Sequence, residues 1–408
     1  MKKEQQNKID KSVEKNMYST INTPCYVIDK SELEQGVHSL EEALTKHWGN
    51  FIIGYSYKTN SLPWVIQYFK DQKCYAEVVS DDEYNLARSI GVLPNNIVYN
   101  GIAKSKKSFL EAVENGAIVN IDSKYEIDWL DELPENRFSY SVGIRVNFDL
   151  EKYCPGQSQC GSEGGRFGFC YENGELLKAI ESIQSKNIRI AGIHLHVSSK
   201  TRSLDIYNTI SKLAVEISEK YNLHLDYVDV GGGFFGGLPD KPSFDDYIKL
   251  ISENLRKGFD SDNTKLIVEP GMCLIGSPVS YVTTVRDVKD TVANRFVVTD
   301  GSRTNIDPLM SKSRYFYDIL LQTGKSERLK KHKQIISGFT CMEHDRLFEL
   351  DECEELLPGD KIVYHKVGAY TMCLTPLFIK YFPAVYVSEN GKLINVRNAW
   401  TYKEYAQS

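Results

Sequence analysis

Over roughly the first two thirds of the chain, short apolar runs alternate with amphipathic segments. Eight runs read as strands: 51–57, 74–80, 97–101, 117–123, 141–148, 188–197, 225–232 and 265–271. Between them, 82–90, 105–115, 174–186 and 203–221 have helical patterns, the last with apolar residues at i, i+3, i+4 and i+7, which gives a helix one buried stripe. Strands that alternate with helices imply parallel βαβ units. Eight such strands predict a closed (β/α)8 barrel of the TIM type across 31–275. After Gly271 the texture changes: 279–288, 295–299, 334–338, 361–367 and 377–388 are strand-like with little helix between them. This predicts a second, all-β domain over 276–408. The strand-like stretch 24–29, within 17–30, precedes the barrel and is expected to join that domain. Residues 1–16 are polar throughout and are expected to form a mobile tail.

Composition narrows the function classes. The 408 residues carry a net charge of −6, which offers no basic surface for nucleic acid. No apolar run reaches the ~18 residues of a membrane span, and the polar N-terminus does not read as a secretory leader. Nine cysteines without CxxC pairs suit a reducing compartment, so the cytoplasm is expected. The eight histidines show no zinc-type spacing, and no metal is expected.

In a barrel of this type chemistry collects where the strands end at the C-terminal face. The first predicted strand ends in Tyr57-Lys58-Thr59-Asn60, the second carries Glu77 and the fifth Arg145. The sixth ends at His196, the seventh runs into Gly231-Gly232-Gly233, and the eighth ends at Glu269-Pro270-Gly271. Singly, each also fits a plain structural role: a solvated lysine, a tight turn, a buried histidine, a salt-bridge carboxylate. Together they are the parts a pyridoxal cofactor needs. The amine bonds covalently to it, the glycine turn lets backbone N–H groups approach a phosphate, and the carboxylate holds a proton on the pyridine nitrogen.

These residues resemble the fold-type III pyridoxal-phosphate decarboxylases, the diaminopimelate, ornithine and arginine decarboxylase group related to alanine racemase. Tyr55-Ser-Tyr-Lys58-Thr-Asn60 is similar to the family's YAxKAN motif, and Glu77-Val-Val-Ser-Asp-Asp-Glu83 to DVVSxGE with Glu77 in place of the usual Asp. His194-Leu-His196-Val-Ser-Ser199 resembles HxHxGS, in which the second histidine stacks on the cofactor ring and the serine helps to bind it. Asp229-Val-Gly-Gly-Gly233 matches the phosphate glycines, Glu269-Pro-Gly271 the ring-nitrogen carboxylate, and Gly165-Arg-Phe-Gly168 the KFG segment. In the β domain, Cys341 and Asp345 of CMEHD resemble C-E-S-x-D, and Gly368-Ala-Tyr370 the GAY motif whose tyrosine contacts the phosphate. The resemblance implies pyridoxal 5'-phosphate bound through Lys58. It also implies a homodimer with shared active sites, in which Cys341 reaches the partner's site.

The departures lie at substrate-reading positions. EPGR is EPGM here, Met342 follows the cysteine, and Asp307-Pro308 stands where diaminopimelate enzymes place an arginine before proline. Arg303, Asp307 and Asp345 are the candidate substrate residues. The expected activity is α-decarboxylation of an amino acid, with Lys58 or Cys341 returning a proton to Cα. The alternatives are a racemase or epimerase with the same cofactor, and a non-catalytic cofactor-bound regulator. Without the two arginines to hold a distal carboxylate, meso-diaminopimelate is expected not to be the substrate.

Overall fold

The computed structural model describes residues 17–134, 137–236, 238–322 and 327–407. The expected tail at 1–16 lies outside the described residues. The chain forms two units, one holding the residues up to Gln35 and from Ile275 onward, the other Gly36–Leu274.

In chain order the strands are β1 (Cys25–Asp29), β2 (Phe51–Ser56), β3 (Tyr75–Ser80), β4 (Ile97–Ala103), β5 (Ile118–Ile121), β6 (Ser141–Asn147), β7 (Phe169–Cys170), β8 (Arg189–His194), β9 (Tyr227–Asp229) and β10 (Lys265–Val268). There follow β11 (Val279–Asp290), β12 (Arg295–Thr299), β13 (Phe316–Leu320), β14 (Lys330–Ser337), β15 (Arg346–Glu354), β16 (Lys361–His365), β17 (Ala384–Glu389) and β18 (Lys392–Arg397).

The larger unit is the expected barrel. Its strands run β2-β3-β4-β5-β6-β8-β9-β10 with every pairing parallel, and the β10–β2 and β5–β6 pairings close the ring. The short β7 adds to β6 from outside this circuit. Strands with apolar residues on both faces suit a barrel filled from inside and packed by helices outside. The helices take their ends from sequence: Ser80 and Ser105 accept hydrogen bonds from the N–H groups of Glu83 and Ser108 at two N-termini, which satisfies donors a helix start leaves open.

In the other unit β1 lies between β11, antiparallel, and β17, parallel. The twelve-residue β11 pairs with β1 and β16 over its first half and with β12 over its second. The sheet continues through β14 and β15, and β13 pairs with β16. The stretch predicted as a strand over 377–388 is one only from Ala384 onward; Pro383 just before it has no N–H to give to a ladder. Among the described residues no helix is long and apolar enough to cross a membrane.

Candidate functional site

The apolar strand β2 ends in one 3-10 turn, Tyr57–Thr59. Tyr57 and Thr59 are buried, while the Lys58 side chain keeps 36% of its surface. That leaves its amine reachable by a ligand, with its stem held by the barrel. Lys58 Nζ donates to Glu77 Oε2 at 2.7 Å. Ser56 pairs with Glu77 across β2 and β3, and its hydroxyl donates to the same oxygen at 2.5 Å. Asn100 Nδ2, on β4, donates to Glu77 Oε1 at 3.0 Å. The longer glutamate is thus fully bonded, and it faces the lysine as the usual aspartate would.

The Asn100 amide also donates to Glu269, just after β10. Nε2 of His194 lies 3.5 Å from Glu269 Oε2, an ion-pair distance in which neither ring nitrogen has hydrogen-bond geometry. Burial opposes ionisation of Glu269, but His194, with Lys58 behind it, outweighs that and holds the carboxyl below the usual range. Its neighbour Asp229 goes the other way: burial, and then the Glu269 charge, push it well above the ordinary value. Of two adjacent buried carboxyls, the negative charge is favoured on Glu269 and disfavoured on Asp229. His194, Asp229 and Glu269 bring ligand atoms within 4.8 Å of one another, yet this division of charge is what a ring nitrogen needs.

Gly231 has φ +70°, and a Cβ there would lie 2.5 Å from the His196 ring; one on Gly232 would lie 2.1 Å from the Glu269 carbonyl oxygen. Only glycine permits this approach. The Gly232 N–H donates to His196 Nδ1 at 3.3 Å. Burial pushes the His196 imidazole down to about 3, the Glu269 charge opposing this, so it is a neutral flat ring. Gly271 packs on Thr59, where a Cβ would be 2.1 Å from the hydroxyl oxygen.

Arg145 on β6 donates to Asp122 Oδ2 at 3.1 Å and to the His196 carbonyl at 3.3 Å, and its Nε is buried without a hydrogen bond. The Gly165–Gly168 segment closes on it. Phe167 lies under the guanidinium at 4.6 Å, and Gly168 N donates to Asp122 Oδ1 at 3.2 Å. Ser199 Oγ accepts from Arg202 N at 3.1 Å, within the turn after His196. The larger unit therefore links Lys58, Glu77 and Glu269 through Asn100 and sets His196 against Gly231, Gly232 and Arg145, with Gly271 beside Thr59; Ser199 and Gly233 lie in the turns that follow His196 and Gly232. The donor set fits pyridoxal phosphate: an accessible amine, an ionised carboxyl, a neutral ring and a glycine cradle with no room for side chains.

The remaining candidates lie in the other unit. Cys341 is exposed. Tyr370 is at φ +54° in the loop after Gly368, whose own position, 1.9 Å from the Ile275 oxygen for any Cβ, excludes a side chain. Asp307 and Asp345 are each only 2% exposed. Asp307 Oδ2 accepts from Arg303 Nε and Nη2 at 3.0 and 2.9 Å, from Lys312 N and from the Tyr315 hydroxyl, and Oδ1 from Ser311 N. Asp345 accepts from Arg303 N and from the backbone and hydroxyl of Thr340. The Asp307 carboxylate is buried and bonded through both oxygens. It is neutralised by Arg303, one helical turn before it, and its bonds hold its own loop.

Sequence reasoning passed over Ser56, Asn100, Asn120 and Asp122. Their signal was present: each is a polar residue at or just beyond an apolar strand (FIIGYS, IVYN, IVNID), and buried polar groups are rare unless bonded for a purpose.

The description "Pyridoxal-dependent decarboxylase, pyridoxal binding domain" belongs to the family whose model matches residues 31–276. Diaminopimelate decarboxylase of Aquifex aeolicus is 27% identical over 95% of this chain and 92% of its own. That of Bacillus subtilis is 27% identical over 94% and 90%. The crystal structure of diaminopimelate decarboxylase from Methanocaldococcus jannaschii superposes with a TM-score of 0.81 at 22% identity, over 96% of this chain and 93% of that one. One from Helicobacter pylori, complexed with L-lysine, reaches 0.79 at 23% identity over 97% and 98%. The match to the family's cofactor-binding domain spans more than half of the residues and coincides with the barrel that assembles Lys58, Glu269 and the glycine cradle: this chain belongs to the pyridoxal-dependent decarboxylases.

Proposed function

We propose that the enzyme releases carbon dioxide from diaminopimelate, leaving lysine. The observation that carries this reading is the near-full-length likeness to diaminopimelate decarboxylases of bacteria and archaea. The expectation that meso-diaminopimelate is not the substrate is corrected by these relatives. Asp307, for its part, is paired with Arg303. The test is competitive. With kcat/KM measured for meso-diaminopimelate, lysine, ornithine and arginine, diaminopimelate is expected to lead by roughly tenfold or more, because a site built for polar groups rejects analogues that lack them. Equal or faster turnover of any of the other three would overturn the assignment.

When bound, pyridoxal phosphate supplies an aldehyde that captures the substrate amine and a ring that accepts the electron pair left at Cα. In this reading the chain supplies the rest. Lys58 holds the cofactor and, paired with Glu77, exchanges protons at its Nζ. Glu269 keeps the ring nitrogen protonated. His196, neutral, would contact the cofactor, and Gly231–Gly233 and Tyr370 would hold its phosphate. Arg145, fixed by Asp122, would help to position it. Cys341 returns the proton to Cα. All nine cysteines are free thiols, which suits a reducing compartment, and we place the enzyme in the cytoplasm.

The working form in this reading is a homodimer with shared sites. Leu374, Leu377, Phe378 and Ile379 form an exposed apolar stretch beside the Tyr370 loop, which a second copy would cover. If Cys341 serves the partner's site, mixing Lys58→Ala with Cys341→Ala chains restores one intact site per mixed dimer. Random exchange then returns about a quarter of wild-type activity. Verified exchange with no recovery would show that each chain works alone.

A further inference from the structure

Five residues form one layer through the barrel. Asn120 on β5 is opposite Gly143 on β6, Gly143 opposite Gly192 on β8, and Gly192 opposite Tyr227 on β9. On the other side Asn100 follows the Tyr99–Val119 pair and so comes beside Asn120. The two glycines make room for the tyrosine. A Cβ on Gly192 would lie 2.2 Å from the Tyr227 ring, and one on Gly143 would lie 2.0 Å from its hydroxyl and 1.9 Å from Asn120 Oδ1. Tyr227 therefore lies across two strands, and its hydroxyl donates to Asn120 Oδ1 at 2.8 Å.

The bonds then all run in one direction. With its oxygen taken by the phenol, Asn120 turns its Nδ2 to Asn100 Oδ1 at 2.8 Å. With its own oxygen taken, Asn100 can only present Nδ2 to Glu77 and Glu269. A reversed Asn100 amide would set its oxygen against two carboxyls. Burial, with Asp229 and Asp226 nearby, holds the Tyr227 phenol far above its usual pKa, so it remains a donor.

We propose that Asn100, oriented through Asn120 by Tyr227, is the positioning residue that fixes the lysine's carboxylate, Glu77, and the ring's carboxylate, Glu269, on a single amide. The pair is thereby set as a unit: the amide shares its two hydrogens between them, so the charge on one is felt at the other. A layer that only filled the barrel would need neither the uniform donor direction nor its termination on two carboxylates. The inference rests on the roles given above to Glu77 and Glu269.

The test is Tyr227→Phe in the holoenzyme, which keeps the ring and removes the orienting proton. Without substrate, the pH at which the cofactor's visible band changes is expected to shift by about half a unit. With substrate, kcat is expected to fall about tenfold, less than for removal of a direct donor, with KM within twofold. Tyr99→Phe is the control, because Tyr99 is another buried barrel tyrosine, and among the described residues its hydroxyl bonds Ser108 and neither carboxylate. It should lower the melting temperature comparably and leave the spectrum and kcat unchanged. A folded Tyr227→Phe enzyme with wild-type spectral midpoint and kcat would overturn the proposal, as would an equal shift in Tyr99→Phe. Should Tyr227→Phe not fold, Asn120→Ser takes its place: a shifted midpoint with lowered kcat supports the relay, and wild-type values for both overturn it. Glu269→Gln serves as the reference. If it too leaves the spectrum unchanged, the role given to Glu269 has failed, and the relay has not been what was tested.

Discussion

Replacing Lys58 with alanine is expected to abolish covalent retention of the cofactor and to lower kcat by on the order of 1,000-fold or more, a sum of lost attachment and lost proton transfer. Borohydride treatment followed by intact-mass measurement reads the first effect. The wild-type chain should gain the mass of the cofactor and Lys58→Ala should not. The fold should survive, because Glu77 keeps the Ser56 hydroxyl and the Asn100 amide when the lysine goes, and a half-exposed amine contributes little to stability. A variant that melts near the wild-type temperature and binds the cofactor reversibly, yet is nearly inactive, separates chemistry from folding. Borohydride-stable label at full stoichiometry on Lys58→Ala would place the attachment elsewhere and would undo the site described here.

The barrel was legible because its strands carry their own signal. Seven of the eight predicted runs contain a barrel strand and the eighth, 97–101, falls within β4, each bounded within a few residues, from β2 at Phe51–Ser56 to β10 at Lys265–Val268. Runs buried on both faces are unbroken and apolar, and helices of clear 3.6-residue period separate them. The β unit was read less completely, for an electrostatic reason. β15 (RLFELDECE) has acidic residues throughout and no clean apolar face, so periodicity passes over it. It forms because it lies against the basic β14, where Lys333 meets Glu349 at 2.8 Å and Lys330 meets Glu352 at 3.5 Å. Cross-strand charge pairs of this kind appear only when the partner is known. The edge strand β18 shows the same limit, with half its residues exposed.

At the site, the lysine, the glycines and Glu269 were readable because their residue types are forced by chemistry. The charge state was not. That His196 is neutral, and that charge is favoured on Glu269 and disfavoured on Asp229, are consequences of burial and of distances between strands. The pairing of Asp307 has the same origin: its partner is Arg303, four residues earlier, and the sequence alone does not show that the two meet.

Glu269→Gln is the change expected to cost most with least disturbance to the structure. The amide has the carboxylate's shape, and its oxygen can still accept from Asn100, so cofactor binding and fold should be retained. What is lost is the negative charge that His194 and Lys58 preserve in a fully buried place. A glutamine presents either a neutral oxygen or an N–H to the ring nitrogen, and neither holds a proton there. Removing one preorganised charge-stabilising group typically costs about 100- to 1,000-fold in kcat, and that range is expected here, with KM little changed because the substrate makes its contacts elsewhere. A second effect follows at the neighbour. Asp229 is pushed upward partly by the Glu269 charge, so in the variant its carboxyl should ionise more readily. That can return part of the lost charge at high pH, and the activity of Glu269→Gln should accordingly rise with pH relative to wild type. The double variant Glu269→Gln with Asp229→Asn should lose that rise. If Glu269→Gln retains kcat within a few-fold of wild type across the pH range, the ring nitrogen does not depend on this carboxylate, and the electron-accepting role given to the protonated ring would have to be abandoned.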